Sequence, residues 1–434
     1  MAKRIFLALL LLNLTSTAFA QAWDLDSCVN YALAGNAEVR HRKLQYGIRQ
    51  EELAEAAAKR IPVVSLGAQE LLHSGNALIM YSVDQVVTMS LTQVAASMEM
   101  PLLTGGAIPN SKAAKEYALK SAAEDISLLM VNTRIRVAAA YMQLLGCRSQ
   151  EQLALRRAEL CREQLQRVQT LVDEGRRTDA DLAEARSALS RADYLHTAAK
   201  GNSDIARIAL ANLIGLEDIS GFEIKDLEES VGDTPEVSLP SLLGDIDAYP
   251  AVRSVQFNLK SAEYQQKAAK GALLPQLSLF ANYNNYLYQP FGVKVPGVGA
   301  QLLHNGWGAL GLKLEVPILN AGQKIQVDKA AMALEDARVT LDETRREISR
   351  QLRESYLQTV SARERYNSAV SAEQAAKEAY DYQQRMYEAG LCTTYDLGQS
   401  RLNWFSTSEE TVRSKYEYLL RNKILGYYRN LLQN

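Results

Sequence analysis

The chain has 434 residues, and its 48 basic side chains nearly balance 50 acidic ones, so nothing in the composition favours a nucleic-acid partner. Its cysteines, Cys28, Cys147, Cys161 and Cys392, are scattered, making neither a disulfide framework nor a zinc cluster. The length suits one large or two modest domains.

Residues 1–20 have the layout of a cleavable export signal: Lys3 and Arg4, an apolar core from Ile5 to Leu12, then Ala18-Phe19-Ala20 as cleavage site. That core is shorter than the roughly 20 residues a spanning helix needs, and no later stretch is apolar enough. Cleavage there puts Gln21 first, with no cysteine to receive a lipid. A helix is expected over about 24–60, ended by Pro62. Two strand-like runs follow. In one, Val64, Leu66 and Ala68 alternate with Ser65, Gly67 and Gln69; the other spans about Val83 to Met98. A long helix over about 107–173 carries Leu128, Val131, Ile135, Ala138, Met142 and Leu145 at three-four spacing, suited to coiled-coil packing. At about 1.5 Å per residue it is on the order of 100 Å long. Cys147 and Cys161 share it roughly 21 Å apart, beyond disulfide reach. Gly175 marks a tight turn, and a return helix covers about 179–214.

The same order then runs again. Arg60-Ile61-Pro62 and the Val64-Ser65-Leu66 run answer to Leu273-Leu274-Pro275 and Leu277-Ser278-Leu279, the prolines 213 positions apart. Pro101-Leu102-Leu103-Thr104-Gly105-Gly106 answers to Pro317-Ile318-Leu319-Asn320-Ala321-Gly322, and Gly175-x-x-Thr178-x-x-Asp181-Leu182 to Gly390-x-x-Thr393-x-x-Asp396-Leu397. Three ordered anchors at nearly one offset make the chain a tandem duplication. The organisation expected is repeat 1 over 21–215, a linker over 216–244, and repeat 2 over 245–434, intertwined in one domain. Repeat 2 holds a helix over about 245–271 and a strand in which Leu277, Leu279, Ala281 and Tyr283 alternate with Ser278, Asn282 and Asn284. A second strand pairs Leu310, Leu312, Leu314 and Val316 with Gly311, Lys313 and Glu315. Helices over about 323–389 and 394–432 follow.

Four strands cannot close a membrane barrel, which needs about eight, and open strand edges do not survive in lipid. If these strands enter a bilayer, several chains pool them. Tyr81, Tyr283, Tyr286, Tyr288, Phe291 and Trp307 sit near strand ends, as interfacial aromatics do. A soluble hairpin pair capping a helical bundle is the competing reading.

The duplicated order of helix, proline, two strands, P-L-x-x-x-G, long helix, G-x-x-T-x-x-D-L turn and return helix resembles the TolC-type outer-membrane efflux protein family over essentially the whole mature chain. The resemblance implies a mainly α fold with β: long coiled-coil hairpins plus four strands per chain. It further implies a homotrimer whose pooled strands form a 12-stranded outer-membrane barrel above a periplasmic helical tunnel. It implies a passive exit duct of a tripartite pump or type I secretion system. Its partners would be outer-membrane lipid, a periplasmic adaptor and an inner-membrane transporter of RND, ABC or MFS type, with no cofactor. The alternative is a non-pore periplasmic coiled-coil protein.

In that family the turns lie at the periplasmic tip, where helices constrict the tunnel and the adaptor docks, here at Gly175, Thr178, Gly390 and Thr393. An aspartate six residues after the glycine contributes to an acidic constriction, matched by Asp396 and Asp181. A tyrosine three before the second glycine, matched by Tyr387, belongs to the network that holds the tip closed. Two positions depart: Gln399 replaces a second aspartate, and Cys392 an arginine, so the closed-state network must differ. Local chemistry competes and can coexist, because Thr178 and Thr393 can cap the return helices with Asp181 and Asp396 at the third helical position.

No catalytic or metal-binding constellation emerges. Gly306-x-Gly308-x-x-Gly311 lacks the strand-to-helix setting of a dinucleotide fingerprint. His41, His73, His196 and His304 are isolated, and Met80, Met89, Met98 and Met100 suit packing better than a soft-metal path. Arg345, Arg346, Arg350 and Arg353 interleave with Glu343, Glu347 and Glu354, as on a solvated helix face.

Overall fold

The computed structural model describes residues 22–76, 86–227, 238–292 and 294–431. The expected export signal, Met80, Tyr81, the start of the second strand-like run and the middle of the linker lie outside them. In chain order the elements are α1 (Leu25–Gly35), α2 (Ala37–Ala58), β1 (Val63–Asn76), β2 (Val86–Thr104), α3 (Ala107–Asp173) and α4 (Asp179–Ile214). There follow α5 (Leu239–Leu243), a 3-10 turn (Ile246–Ala248), α6 (Pro250–Gly271), β3 (Gln276–Pro290), α7 (Val298–His304), β4 (Trp307–Glu315), α8 (Ala321–Glu388) and α9 (Thr394–Asn430). The fold is mostly helical with four antiparallel strands. One expected helix is corrected: 24–60 is two helices, because Asn36 leaves the helical region and its Oδ1 accepts the Glu38 N–H at 2.8 Å, starting a new helix.

The chain forms two compact units. The first combines residues up to Lys43 with Asp125–Val252 and Arg345 onward. Its main core packs Leu25, Cys28 and Ala32 of α1 against Tyr141, Met142 and Leu145 of α3, Leu210 and Ile214 of α4, and Leu419 of α9. Burial pushes the Cys28 thiol up to about 12, so it acts as a small apolar side chain. Trp23 bridges to Ile224 in the linker, with the Trp23 N–H donating to Glu223 O and the Lys225 N–H to Trp23 O, each at 2.8 Å. The Tyr141 hydroxyl lies 3.1 Å from Trp23 O and 2.6 Å from Lys225 O, seating that bridge on α3. Towards the turns the core thins to small clusters, first Ala158, Cys161 and Ala192, then Val168, Leu182 and Ala185. Alanine and cysteine there let the helix backbones approach.

The second unit, Leu44–Glu124 with Arg253–Thr344, holds the sheet in the order β1-β2-β3-β4, every pair antiparallel. Strand alternation sorts its residues by face. One face aligns Leu66, Ala96, Tyr283 and Gly308 in one row and Val64, Met98, Ala281 and Leu310 in the next. Those rows are uncovered, with Leu66 78% exposed and Leu310 74%; further along, the same face carries Glu70, whose carboxylate accepts from the Ser90 and Thr92 hydroxyls. The opposite face carries a polar ladder in which Ser65 meets Ser97 at 2.6 Å, Gln69 meets Gln93 at 2.6 Å, and Gln93 reaches Asn284 at 3.2 Å. Among the described residues β2 and β3 have strand neighbours on both sides, while β1 and β4 each keep one edge without a strand partner. Among the described residues no helix is long and apolar enough to cross a membrane.

Candidate functional site: the paired turns

Each long helix ends in the same way. At the first turn the Arg176 N–H donates to Leu171 O and the Gly175 N–H to Val172 O, both at 2.8 Å. At the second, Leu391 N–H donates to Met386 O at 2.9 Å and Gly390 N–H to Tyr387 O at 3.0 Å. Such closures need a left-handed residue, and both glycines supply it, with φ of 71° and 73°. Thr178 and Thr393 then cap the return helices. Asp181 N–H donates to Thr178 Oγ1 at 3.3 Å, and Asp181 Oδ2 accepts from the Thr178 N–H at 3.1 Å and hydroxyl at 2.8 Å. Asp396 and Thr393 repeat that box at 3.2, 3.0 and 2.6 Å.

Beyond the caps the turns diverge. Asp181 Oδ1 accepts a hydrogen bond from Thr394 Oγ1 at 2.7 Å, which ties the start of α4 to the start of α9. Thr394 is buried, and its hydroxyl lies 3.4 Å from that of Tyr387. The Arg177 guanidinium stacks 4.6 Å over the Tyr387 ring. Tyr387 is itself buried against Tyr380 and Leu397, with Cys392 and Trp404 packed around them. The hydrogen bonds from Thr394 and then Thr178 hold the Asp181 carboxyl below its ordinary range. Asp396 is exposed; only its cap partner Thr393 lowers it, and among the described residues its Oδ1 meets no donor.

The turns thus bring Asp181 and Tyr387 together through Thr394, and leave Asp396 apart from them. Sequence reasoning missed Thr394 and Arg177. Cys392 lies with its thiol 3.5 Å from Gln383 O, and Gln399 is exposed on α9. In the sheet, alternation separates the four strand residues among the aromatics expected at a membrane interface. Tyr283 shares the apolar face, while Tyr286, Tyr288 and Trp307 share the face of the polar ladder, where the Tyr286 hydroxyl lies 3.4 Å from Gln93 Nε2. The glycines of the 306–311 motif serve packing: a Cβ at Gly311 would meet the Phe280 ring at 2.9 Å and one at Gly306 the Tyr283 hydroxyl at 2.2 Å. Among the described residues no group of three or more His, Cys, Asp or Glu could hold a metal ion.

The model of the outer membrane efflux protein family matches residues 28–216 and 247–425, both arms of the duplication. The chain belongs to the outer membrane efflux protein family. It is therefore a transport protein of the outer membrane. The alkaline protease secretion protein AprF of Pseudomonas aeruginosa is 24% identical over 310 residues, 69% of this chain and 61% of AprF, so the match spans less than two thirds of that relative. The outer membrane efflux protein BepC of Brucella suis is 21% identical over 396 residues, 91% of this chain and 82% of BepC. Among solved structures, the Campylobacter jejuni CmeC outer membrane channel superposes with a TM-score of 0.79 at 18% identity, over 94% of this chain and 85% of that one. The shared fold is that of an outer membrane efflux channel.

Proposed function

We propose that this protein is the passive outer-membrane exit duct of a tripartite efflux or type I secretion system, with three copies pooling their strands into a twelve-stranded barrel. The supporting observation is the sheet, which sets rows of apolar residues on one face against a polar ladder on the other and, among the described residues, leaves the outer edges of β1 and β4 without a strand partner. Open edges cannot face lipid. In the meander β1 and β4 run antiparallel, so β4 of one copy continues the alternation onto β1 of the next. The rows of Val64, Leu66, Ala281 and Leu310 then meet lipid, the polar ladder lines the lumen, and Tyr283 is the interfacial aromatic. Tyr286, Tyr288 and Trp307 line the interior.

The paired turns form the periplasmic tip, where Gly175, Thr178, Gly390 and Thr393 shape the surface offered to a periplasmic adaptor that joins an inner-membrane transporter. Asp396, exposed and free of the inter-hairpin bond, supplies a ring of three carboxylates at the constriction, concentrating cations and slowing anions. Asp181, Thr394, Tyr387 and Arg177 hold the hairpins of one protomer together and keep the tip closed. The test is fractionation followed by planar-bilayer recording of the purified protein. Recovery in outer membranes as a cross-linkable trimer with cation-preferring channels is expected. Recovery in the soluble periplasm after a high-salt wash, without channels, would replace the duct by a coiled-coil spacer.

A further inference from the structure

On the polar face of the sheet, Trp307, Tyr286 and Tyr288 stand on three successive rows. Trp307 lies opposite Asn284, and the Tyr286 and Tyr288 rings follow near-parallel, 6.4 Å apart at 25°. Trp307 is 50% exposed and Tyr288 42%, so ring surface stays open above the sheet. Beside these rings the amides of Gln69, Gln93 and Asn284 are chained across β1, β2 and β3 at 2.6 and 3.2 Å. That chain leaves the Gln69 carbonyl and the Asn284 amide N–H groups unused. From the row of Ser65, Ser97 and Asn282 to the row of Leu71, Leu91 and Tyr288 the face carries no charged side chain. Glu99 and Lys313 belong to rows nearer the long helices. A dedicated element fixes the two tyrosines. β4 begins at Trp307, so the backbone of Tyr286 and Tyr288 has no strand beside it on that side. The buried Gln301 of α7 accepts from the Tyr288 N–H at 2.7 Å and donates to Tyr288 O at 3.1 Å, and Asn305 Nδ2 donates to Tyr286 O at 2.7 Å. A side-chain amide thus imitates the peptide group of the absent strand and pins the aromatic pair where the ladder has run out.

Open ring faces beside unused amide donors and acceptors, with no charge among them, suit one kind of solute. A charged solute gains no counter-ion here, and a purely apolar one leaves the amides unpaired. A sugar offers an apolar C–H face to the rings and hydroxyls that both donate and accept. We propose that this face is a track for neutral saccharides, with Trp307 and Tyr288 stacking on sugar rings while Gln69 and Asn284 bond their hydroxyls. The proposal rests on the duct reading, which puts this face in the lumen, and adds the class of solute that the lumen favours.

The experiment records the purified full-length protein in planar bilayers with maltohexaose added, and polyethylene glycol of the same mass as the size control. Maltohexaose should block the current reversibly at concentrations where the glycol does not, and the block should hardly change with salt. Trp307→Ala and Tyr288→Ala should each weaken the block by roughly three- to tenfold, the worth of one aromatic contact. Trp307→Leu, which keeps apolar bulk without a ring, should lose as much, whereas Trp307→Phe keeps most of the block. Open-channel conductance shows that each variant has folded and inserted. Equal block by the glycol, or unchanged block in either alanine variant or in Trp307→Leu, overturns the proposal. Stronger block by benzyl alcohol, a ring with a single hydroxyl, reassigns the track to aromatic solutes and also overturns it. Conducting channels indifferent to the sugar sink the track alone, whereas absent channels sink the duct reading and the track with it.

Discussion

The two turns share a backbone, a glycine and a capping box, yet their aspartates are committed differently. Asp181 spends one oxygen on its cap and the other on Thr394 across the hairpins. Asp396 spends one oxygen on its cap and presents the other to solvent. Duplication thus delivered one structural device twice, and the surroundings turned one copy into a tie and left the other as a bare charge. A carboxylate that caps a helix is not thereby excluded from another task, since the cap needs only one of its oxygens.

The largest effect should come from Thr394→Val, which keeps the shape of the side chain and removes the tie. A hydrogen bond to a charged group contributes about 1.5–3 kcal/mol, so open probability in planar bilayers should rise about tenfold or more. Unchanged gating would show that the turns are not held by this bond. The same tie should respond to pH. Because the folded carboxyl of Asp181 is depressed, its stabilisation is complete above the ordinary value of 3.8 and is lost as pH falls through the lower folded value. Wild-type channels should therefore open more often in that acid range, and Thr394→Val channels should show a smaller change.

Thr178→Ala and Thr393→Ala should each cost about 1 kcal/mol of helix-end stability, seen as faster amide exchange over the first turn of α4 or α9. Only the first variant should also change gating, because only Asp181 carries the tie. Equal gating effects would erase the difference between the turns. Arg177→Gln removes a cation–π contact of about 0.5–1 kcal/mol and should raise open probability by only a few fold. Asp396→Asn should leave gating and stability nearly unchanged while weakening cation preference and block by divalent cations. Unaltered selectivity would confine Asp396 to its cap.

Much of the fold was legible because the chain is punctuated. Gly175, Gly390 and the threonines that follow mark helix boundaries by backbone chemistry, and the expected long helices agree with α3 and α8 to within two residues. Asn36 was harder to read, since its cap lies inside a continuous helical pattern. The seven-residue α7 was missed within what reads as a loop. In the site, Thr394 was invisible for a specific reason. It occupies an unspecified position of the repeated motif, its counterpart in the first copy is Asp179, and its partner Asp181 is 213 positions away. Only the adjacency of the two turns in space gives it a role. Tyr286, Tyr288 and Trp307 were grouped with Tyr283 by nearness in sequence, whereas strand parity divides them.

The central seam of the sheet bears on the order of folding. Strands β1–β2 and β3–β4 are neighbours in sequence, but β2 pairs with β3, and Thr104 must find Gln276 more than 170 residues later. Loop closure over that span is entropically costly and slow beside hairpin formation. The sheet therefore cannot reach its four-strand width until β4, in the first half of the second repeat, has been made. A chain cut short within α8 would already own every strand, whereas one cut within α6 would own a single hairpin, so truncation between those points should separate soluble from membrane-seeking fragments.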